Sequence, residues 1–364
     1  MNKCALLVVC GLFLACNQPQ AKTINENPVK IELASLIERG PAETISLNNW
    51  SKSIKFVPLE TEKLPAVKGI SKIIQKNDKL LIVHAQKASV FDLEGKYLYD
   101  IGQQGNKPEN FTNLQNLSVR NDTIFIKDKN NQIKLYNWQG KFIGQISTPE
   151  LPILDLYPVL NTDVFLGHIP NRTGENKNRL AIFRDATVLN LIPTYSKFER
   201  ADGNTVITLT SEMRTFDGNV SAFKELFNDT IFQIKPDYSL HPYAIINLGK
   251  NKATEEHRYT LTPGMFTQKN FDMFDNKIAL SAIGEKDDII YMVPYNKNIK
   301  PYTFSFNKKN GKAYYQKITY PESQFDLTDN SIFTPSFIST DGKFLIDLEF
   351  TKNDNKPVIV LVER

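Results

Sequence analysis

Short apolar runs, broken at regular intervals by turn residues, constrain this chain more than any other feature. Examples are IKFVPLE (54–60), KLLIVHA (79–85), TIFIKD (123–128), TVITLT (205–210), KFLIDLEF (343–350) and PVIVLVE (357–363). At least fourteen such runs of six to eight residues occur, rich in Val, Ile, Phe, Tyr and Thr. Runs of that length and composition suit pleated strands, and helical periodicity is scarce. Many short strands with little helix between them define an all-β fold.

The turns carry a repeat. Asn-Asp stands before an apolar run at Asn77–Asp78, Asn121–Asp122 and Asn228–Asp229. Both residue types close tight turns through local hydrogen bonds and tolerance of left-handed backbone. A polar-Gly-Lys triplet recurs at Glu94–Lys96, Gln139–Lys141, Asn310–Lys312 and Asp341–Lys343. Its glycine supplies the positive φ that a short hairpin needs. The first two Asn-Asp turns are 44 residues apart and the first two Gly-Lys turns 45 apart. A period in the forties holding about four strands is the mark of a propeller blade. The length after the leader then predicts a six-bladed β-propeller of four-stranded antiparallel blades over 45–364. A ring of sheets needs its two ends joined, because open edges invite aggregation. The strand at 54–60 is expected to join a blade made by the strands within 343–363. The pentapeptide NDTIF occurs at 121–125 and 228–232, with different spacings to the next turn. The two copies are therefore expected at different places in their blades, each starting a strand by the same turn chemistry.

The N-terminus reads MNKCALLVVCGLFLAC. Lys3 precedes an apolar run, Ala5–Ala15, too short for a spanning helix, which is the layout of a secretory signal over 1–15. With Ala15 directly before Cys16, it resembles the lipobox of bacterial lipoproteins, which implies lipid attachment at Cys16. The three cysteines are Cys4, Cys10 and Cys16. Removal of the signal leaves one, so no internal disulfide can form. A multiply acylated terminal Cys holds a protein on a membrane. The polar stretch that follows reads as a tether, with 16–44 assigned to the lipidated Cys and tether. It has no acidic residue before Glu26. The expected location is the cell envelope, as an outer-membrane lipoprotein facing the periplasm.

Three segments carry a resemblance. FVPLET (56–61), VFDLEGKYLYDIGQQGNKPENF (90–111) and FNDTIFQIKPDYSLHPYAIINLGK (227–250) are similar to the six-bladed β-propeller lipoproteins of Bacteroidetes, which look like NHL-repeat propellers. Asn106–Asn110 departs from the Gly-Pro-Gly-Glu that this family often has. The resemblance spans most of 45–364. It implies the fold and the lipid anchor, and no catalytic residues.

The chain carries 44 Lys and Arg against 40 Asp and Glu, with no basic stripe, so nucleic acid is not an expected partner. The four histidines, His84, His168, His241 and His257, show no metal-ligand spacing, and no metal site is expected. There is no nucleophile elbow and no phosphate-cradling loop. No cofactor is expected. Calcium in a propeller channel would need convergent Asp, Asn and Glu oxygens that the sequence does not single out. Two polar loops are the candidate ligand-binding segments. HIPNRTGENKNR offers His168, Arg172 and Arg179, and EEHRY offers His257, Arg258 and Tyr259. Such groups grip carboxylates, phosphates or sugar hydroxyls, and loops at one end of a β scaffold commonly carry binding. The sequence thus favours a membrane-anchored binding module over an enzyme, with a glycan, peptide or envelope protein as partner. A calcium-dependent propeller hydrolase or lyase, and a scaffold for an envelope complex, are the alternatives.

Overall fold

The structure is a computed structural model that describes residues 27–41, 44–62, 69–159, 162–195, 197–199, 212–216, 220–254, 277–295, 302–321, 325–327 and 331–364. The leader, the run at 205–210 and the EEHRY loop lie outside the described residues.

Five elements precede the first blade: β1 (Val29–Glu32), α1 (Ala34–Arg39), β2 (Thr44–Ser46), α2 (Leu47–Trp50) and β3 (Ser53–Pro58). Blade 1 is β4 (Ile70–Lys76), β5 (Lys79–His84), β6 (Lys87–Asp92) and β7 (Tyr97–Asp100). Blade 2 is β8 (Asn116–Arg120), β9 (Thr123–Asp128), β10 (Gln132–Asn137) and β11 (Phe142–Ser147). Blade 3 is β12 (Asp155–Pro158), β13 (Phe165–His168), β14 (Asn178–Arg184) and β15 (Thr187–Pro193). Blade 4 is β16 (Glu212–Phe216), β17 (Val220–Lys224), β18 (Thr230–Ile234) and β19 (Leu240–Asn247). Blade 5 is β20 (Leu280–Lys286), β21 (Ile289–Pro294), β22 (Thr303–Asn307) and β23 (Lys312–Thr319). Blade 6 is β24 (Phe337–Ile338), β25 (Phe344–Phe350) and β26 (Pro357–Glu363), and its fourth strand is β3. Within each blade the strands are antiparallel neighbours, in chain order in blades 1 to 5 and with β3 added after β26 in blade 6. First strands touch first strands of the next blade, as β8 does β12, β20 does β24 and β24 does β4, so they surround the axis.

The runs are apolar on both faces because each blade is covered on both sides. In β5, Leu81 and Val83 join a buried cluster with Leu117, Ile124 and Ile126 of blade 2. Its Leu80 and Ile82 point the other way, to Ile346, Ile359 and Leu361 of blade 6. Four more clusters fill the remaining gaps between successive blades, so the six interfaces close a ring. Phe165 stands between two other rings in the gap of blades 2 and 3, 5.3 Å from Phe125 and 5.8 Å from Phe183 between centroids. Such aromatic pairs hold more than their buried area implies.

Closure follows the sequence reading. β3 pairs antiparallel with β26, from Ser53 opposite Glu363 to Pro58 opposite Val358. The assignment of 16–44 to a tether needs correction from Val29 onward. β1 adds parallel to the outer strand β19 of blade 4, and β2 adds parallel to the outer strand β23 of blade 5. Ile31, Leu33 and Leu47 are fully buried. These few apolar side chains bind an otherwise polar segment to the rim, and Leu33 N donates to Asn247 O at 2.9 Å. Residues 29–58 thus strap blades 4, 5 and 6 in succession.

The turns of the sequence are found as turns. Gly95, Gly140, Gly311 and Gly342 all have positive φ. The NDTIF copies do sit differently: Asn121 lies between the first two strands of blade 2, and Asn228 between the second and third of blade 4. Their chemistry is not the same, which corrects the expectation. Asn121 adopts φ +52°, whereas Asn228 uses its Oδ1 to accept the Thr230 N–H at 2.9 Å.

Candidate ligand-binding end of the ring

Strand direction alternates, so each sheet has two distinct ends. At one end lie the connections from first to second and from third to fourth strands. Between described strands these are short, from 77–78 and 121–122 up to 159–164. At the other end lie the second-to-third connections and the links between blades. These include 101–115, 169–177, 194–211, 248–279 and 320–336. Short turns at one end, and at the other a mixture of short connections such as 85–86 and 129–131 with these long segments, make a scaffold with a variable end. That end also holds the beginnings of the strands that line the axis.

The described candidates all belong to this end, but they play different parts. His168 is the last residue of β13 and is directly opposite Asp155, the first residue of β12. Its Nδ1 lies 3.3 Å from Asp155 Oδ2, and both side chains are buried. Arg172 is exposed. Arg179 forms a part-buried ion pair with Glu225 of blade 4. Its guanidinium lies 4.8 Å from the Tyr195 ring centroid and 5.3 Å from that of Phe232. Arg179 therefore joins blades 3 and 4. By alternation His168 shares the face of Leu166 and Leu180, toward blade 4. Arg179, beside a register shift in β14, reaches blade 4 as well, but the two take different partners. The loop 168–179 is not one cluster. His257, Arg258 and Tyr259 lie outside the described residues.

Several polar groups at this end were not singled out in the sequence. Lys127, on β9, is buried and donates to Gln115 Oε1 at 2.9 Å. Burial holds its ammonium below the usual lysine range, against the pull of Asp128 and Asp155. Asp128 accepts hydrogen bonds from Thr112 N and Oγ1, Asn113 N and Lys129 N. Burial alone would raise its pKa, and these donors hold it below the ordinary carboxylate value. Lys224 takes the same place in blade 4 as Lys127 in blade 2, and donates to the carbonyls of Glu225, Leu226 and Asn228. A signal for such residues does exist. Lys127-Asp128 and Lys224-Glu225 both put a Lys-acid pair where a second strand ends, but only the blade register makes them equivalent.

Blade 1 brings His84, Ser89 and Asp100 together, a trio that resembles hydrolytic machinery by composition. Its wiring is different. Ser89 Oγ donates to Asp100 Oδ1 at 2.6 Å, and a hydroxyl has one proton. His84 Nε2, 2.9 Å from Ser89 Oγ, must then be the donor, so it cannot take the serine proton. The buried Nδ1 of His84 has no hydrogen-bond partner among the described residues. Burial lowers the imidazole pKa more than Asp100 raises it. The trio cross-links β5, β6 and β7. Among the described residues no group of three or more His, Cys, Asp and Glu side chains converges as a metal site, and no helix is long and apolar enough to cross a membrane.

Six four-stranded blades, sealed by an N-terminal strand and bearing their long loops at one end, define a six-bladed β-propeller. The family described as a domain of unknown function, DUF4934, matches residues 28–356, and this chain belongs to it. Two solved structures share the architecture. One is a protein of Bacteroides fragilis described as exported, with TM-score 0.63 and 12% identity, covering 93% of this chain and 100% of that one. The other is a member of the DUF4221 family from Bacteroides vulgatus, with TM-score 0.52 and 10% identity, covering 86% of this chain and 97% of that one. At these identities the likeness is one of fold. No curated protein matches the chain.

Proposed function

We propose that this protein is a binding module of the bacterial cell envelope, a lipoprotein of the NHL-like propeller type held on the outer membrane through Cys16 and facing the periplasm. Its ligand, a glycan, peptide or envelope protein, is taken at the loop-bearing end of the ring. The observation that carries this reading is the asymmetry of the connections, short at one end of the sheets and in part long at the other. The leader with Cys16 and the fold shared with an exported Bacteroides protein support the location.

The test has two arms. Cells fed an alkyne-tagged fatty acid should label the wild-type chain in the outer-membrane fraction, and Cys16→Ala should abolish labelling and release the protein. Purified protein should bind immobilised envelope material, and replacing 171–176 by Gly and Ser should reduce that binding, while a similar insertion beside Gly311 should not. Equal loss from both changes would place binding away from the loops.

A further inference from the structure

Asp155 opens the axis-lining strand β12, His168 closes β13, and they face each other across the ladder. Their side chains are only 9% and 7% exposed. An ionised carboxylate can only accept, so Asp155 Oδ2 at 3.3 Å places the proton of a neutral His168 on Nδ1. That leaves Nε2 as a bare lone pair, with no hydrogen-bond partner among the described residues. An acceptor on a ring held by a buried carboxylate is a pre-set contact for a donor.

The surroundings narrow the donor's chemistry. Lys127 reaches across from blade 2 near enough to feel the charge of Asp155, and Asp128 is saturated by its four donors. Neither of these two groups is left unmatched to draw an ion. A peptide N–H arrives with a carbonyl on a separate atom that needs a donor of its own. A hydroxyl puts donor and acceptor on one rotatable atom.

We propose that Asp155 and His168 form a hydrogen-bond-accepting subsite at the loop-bearing end, which takes a hydroxyl of a neutral saccharide through His168 Nε2. His168 contacts the ligand, and Asp155 is a positioning residue. This inference rests on the binding-module reading above.

Long-range proton–nitrogen NMR of the full mature chain labelled with ¹⁵N-histidine tests it. In the free protein at neutral pH, the His168 proton should sit on Nδ1. Titration with cellotetraose, mannotetraose and chitotetraose should move the Nε2 resonance with at least one of them. His168→Phe should weaken that binding about tenfold, the loss of one well-made hydrogen bond. Asp155→Asn, near-isosteric and able to donate to Nδ1, should shift the proton to Nε2 and weaken binding similarly with little change in thermal midpoint. A proton on Nε2 in the wild type, or an Nε2 resonance that no saccharide moves, overturns the proposal. If a saccharide shifts loop-end amides while Nε2 stays still, the subsite is wrong and the binding-module reading stands. If acetyl-pentaglycine amide moves Nε2 and the saccharides do not, the ligand class is wrong.

Discussion

Gly95 sits where the ring is sealed. Its φ is +86°, and a Cβ there would lie 1.9 Å from the Pro58 carbonyl oxygen at the end of β3. Glu60 N donates to its carbonyl at 2.9 Å. Gly311 has φ +67° with nothing within 4 Å of such a Cβ. Gly311→Ala should therefore cost about 1 kcal/mol, the left-handed backbone alone. Gly95→Ala should cost roughly 1–3 kcal/mol more from overpacking, read as the difference in urea midpoints. Lys224 sets a pH dependence. Burial lowers its pKa to about 7, against an ordinary 10.5. Between those values the unfolded chain holds a proton that the native chain has shed, so stability rises with pH, by up to about 1.4 kcal/mol per unit. Tyr136, Tyr243, Tyr315 and Tyr320 are held above the ordinary phenol value by burial first. Above about pH 10 the unfolded chain loses phenol protons that the native chain keeps, and stability falls. Urea unfolding from pH 7 to 11 should show a maximum near pH 10, and Lys224→Met should flatten its rising limb. At this scale the sequence told of turns but not of means. Asn121 and Asn228 sit in identical pentapeptides, and only the backbone around each decides whether φ or Oδ1 does the turning.

Among elements, the strap is the feature whose removal is most informative. Ile31 and Leu33 are fully buried in the cluster between blades 4 and 5. Replacing either by Ala should cost about 2–4 kcal/mol. Part of that loss should be local, seen as faster amide exchange at Leu33, whose N–H bonds Asn247 O. Deleting 27–46 should lower the melting point yet leave a monomer, because β3 still completes blade 6. Deleting through Pro58 should leave β26 with an open edge and abolish the soluble monomer on size exclusion. The strands were legible because both faces of each blade are covered, which turns them into continuous apolar runs such as KLLIVHA. The strap was not, because it buries a few side chains in a polar stretch, and its parallel pairing to blades 4 and 5 has no local signal. The Asp155–His168 contact was half legible. His168 stood out as a rare residue type in a polar loop, while Asp155 sits in PILDLYP without any period to mark it.

For the molecule as a whole, the count of six blades came from length and a period of 44–45 residues. The period survives in blades 1 and 2 because both keep tight turns at one end. Later blades lose it through the long links at the other end, whose lengths no packing requirement fixes. Ile54 and Val362 are directly paired where the ring closes. In a Cys16→Ala background, Ile54→Cys with Val362→Cys should form a staple that tethers the two ends of the propeller in the unfolded chain. The oxidised form should be more stable than the reduced one by roughly 3–5 kcal/mol, checked by urea unfolding with and without reductant. The β3–β26 pairing has one more outcome, for biosynthesis. A chain made from its N-terminus carries the closing strand ahead of blade 1, yet the strand it must meet is the last of the ring to be synthesised. Until then β3 waits without its mate, and a chain that stops short of β26 would remain an open arc, exposed to chaperones and proteases for as long as it survives.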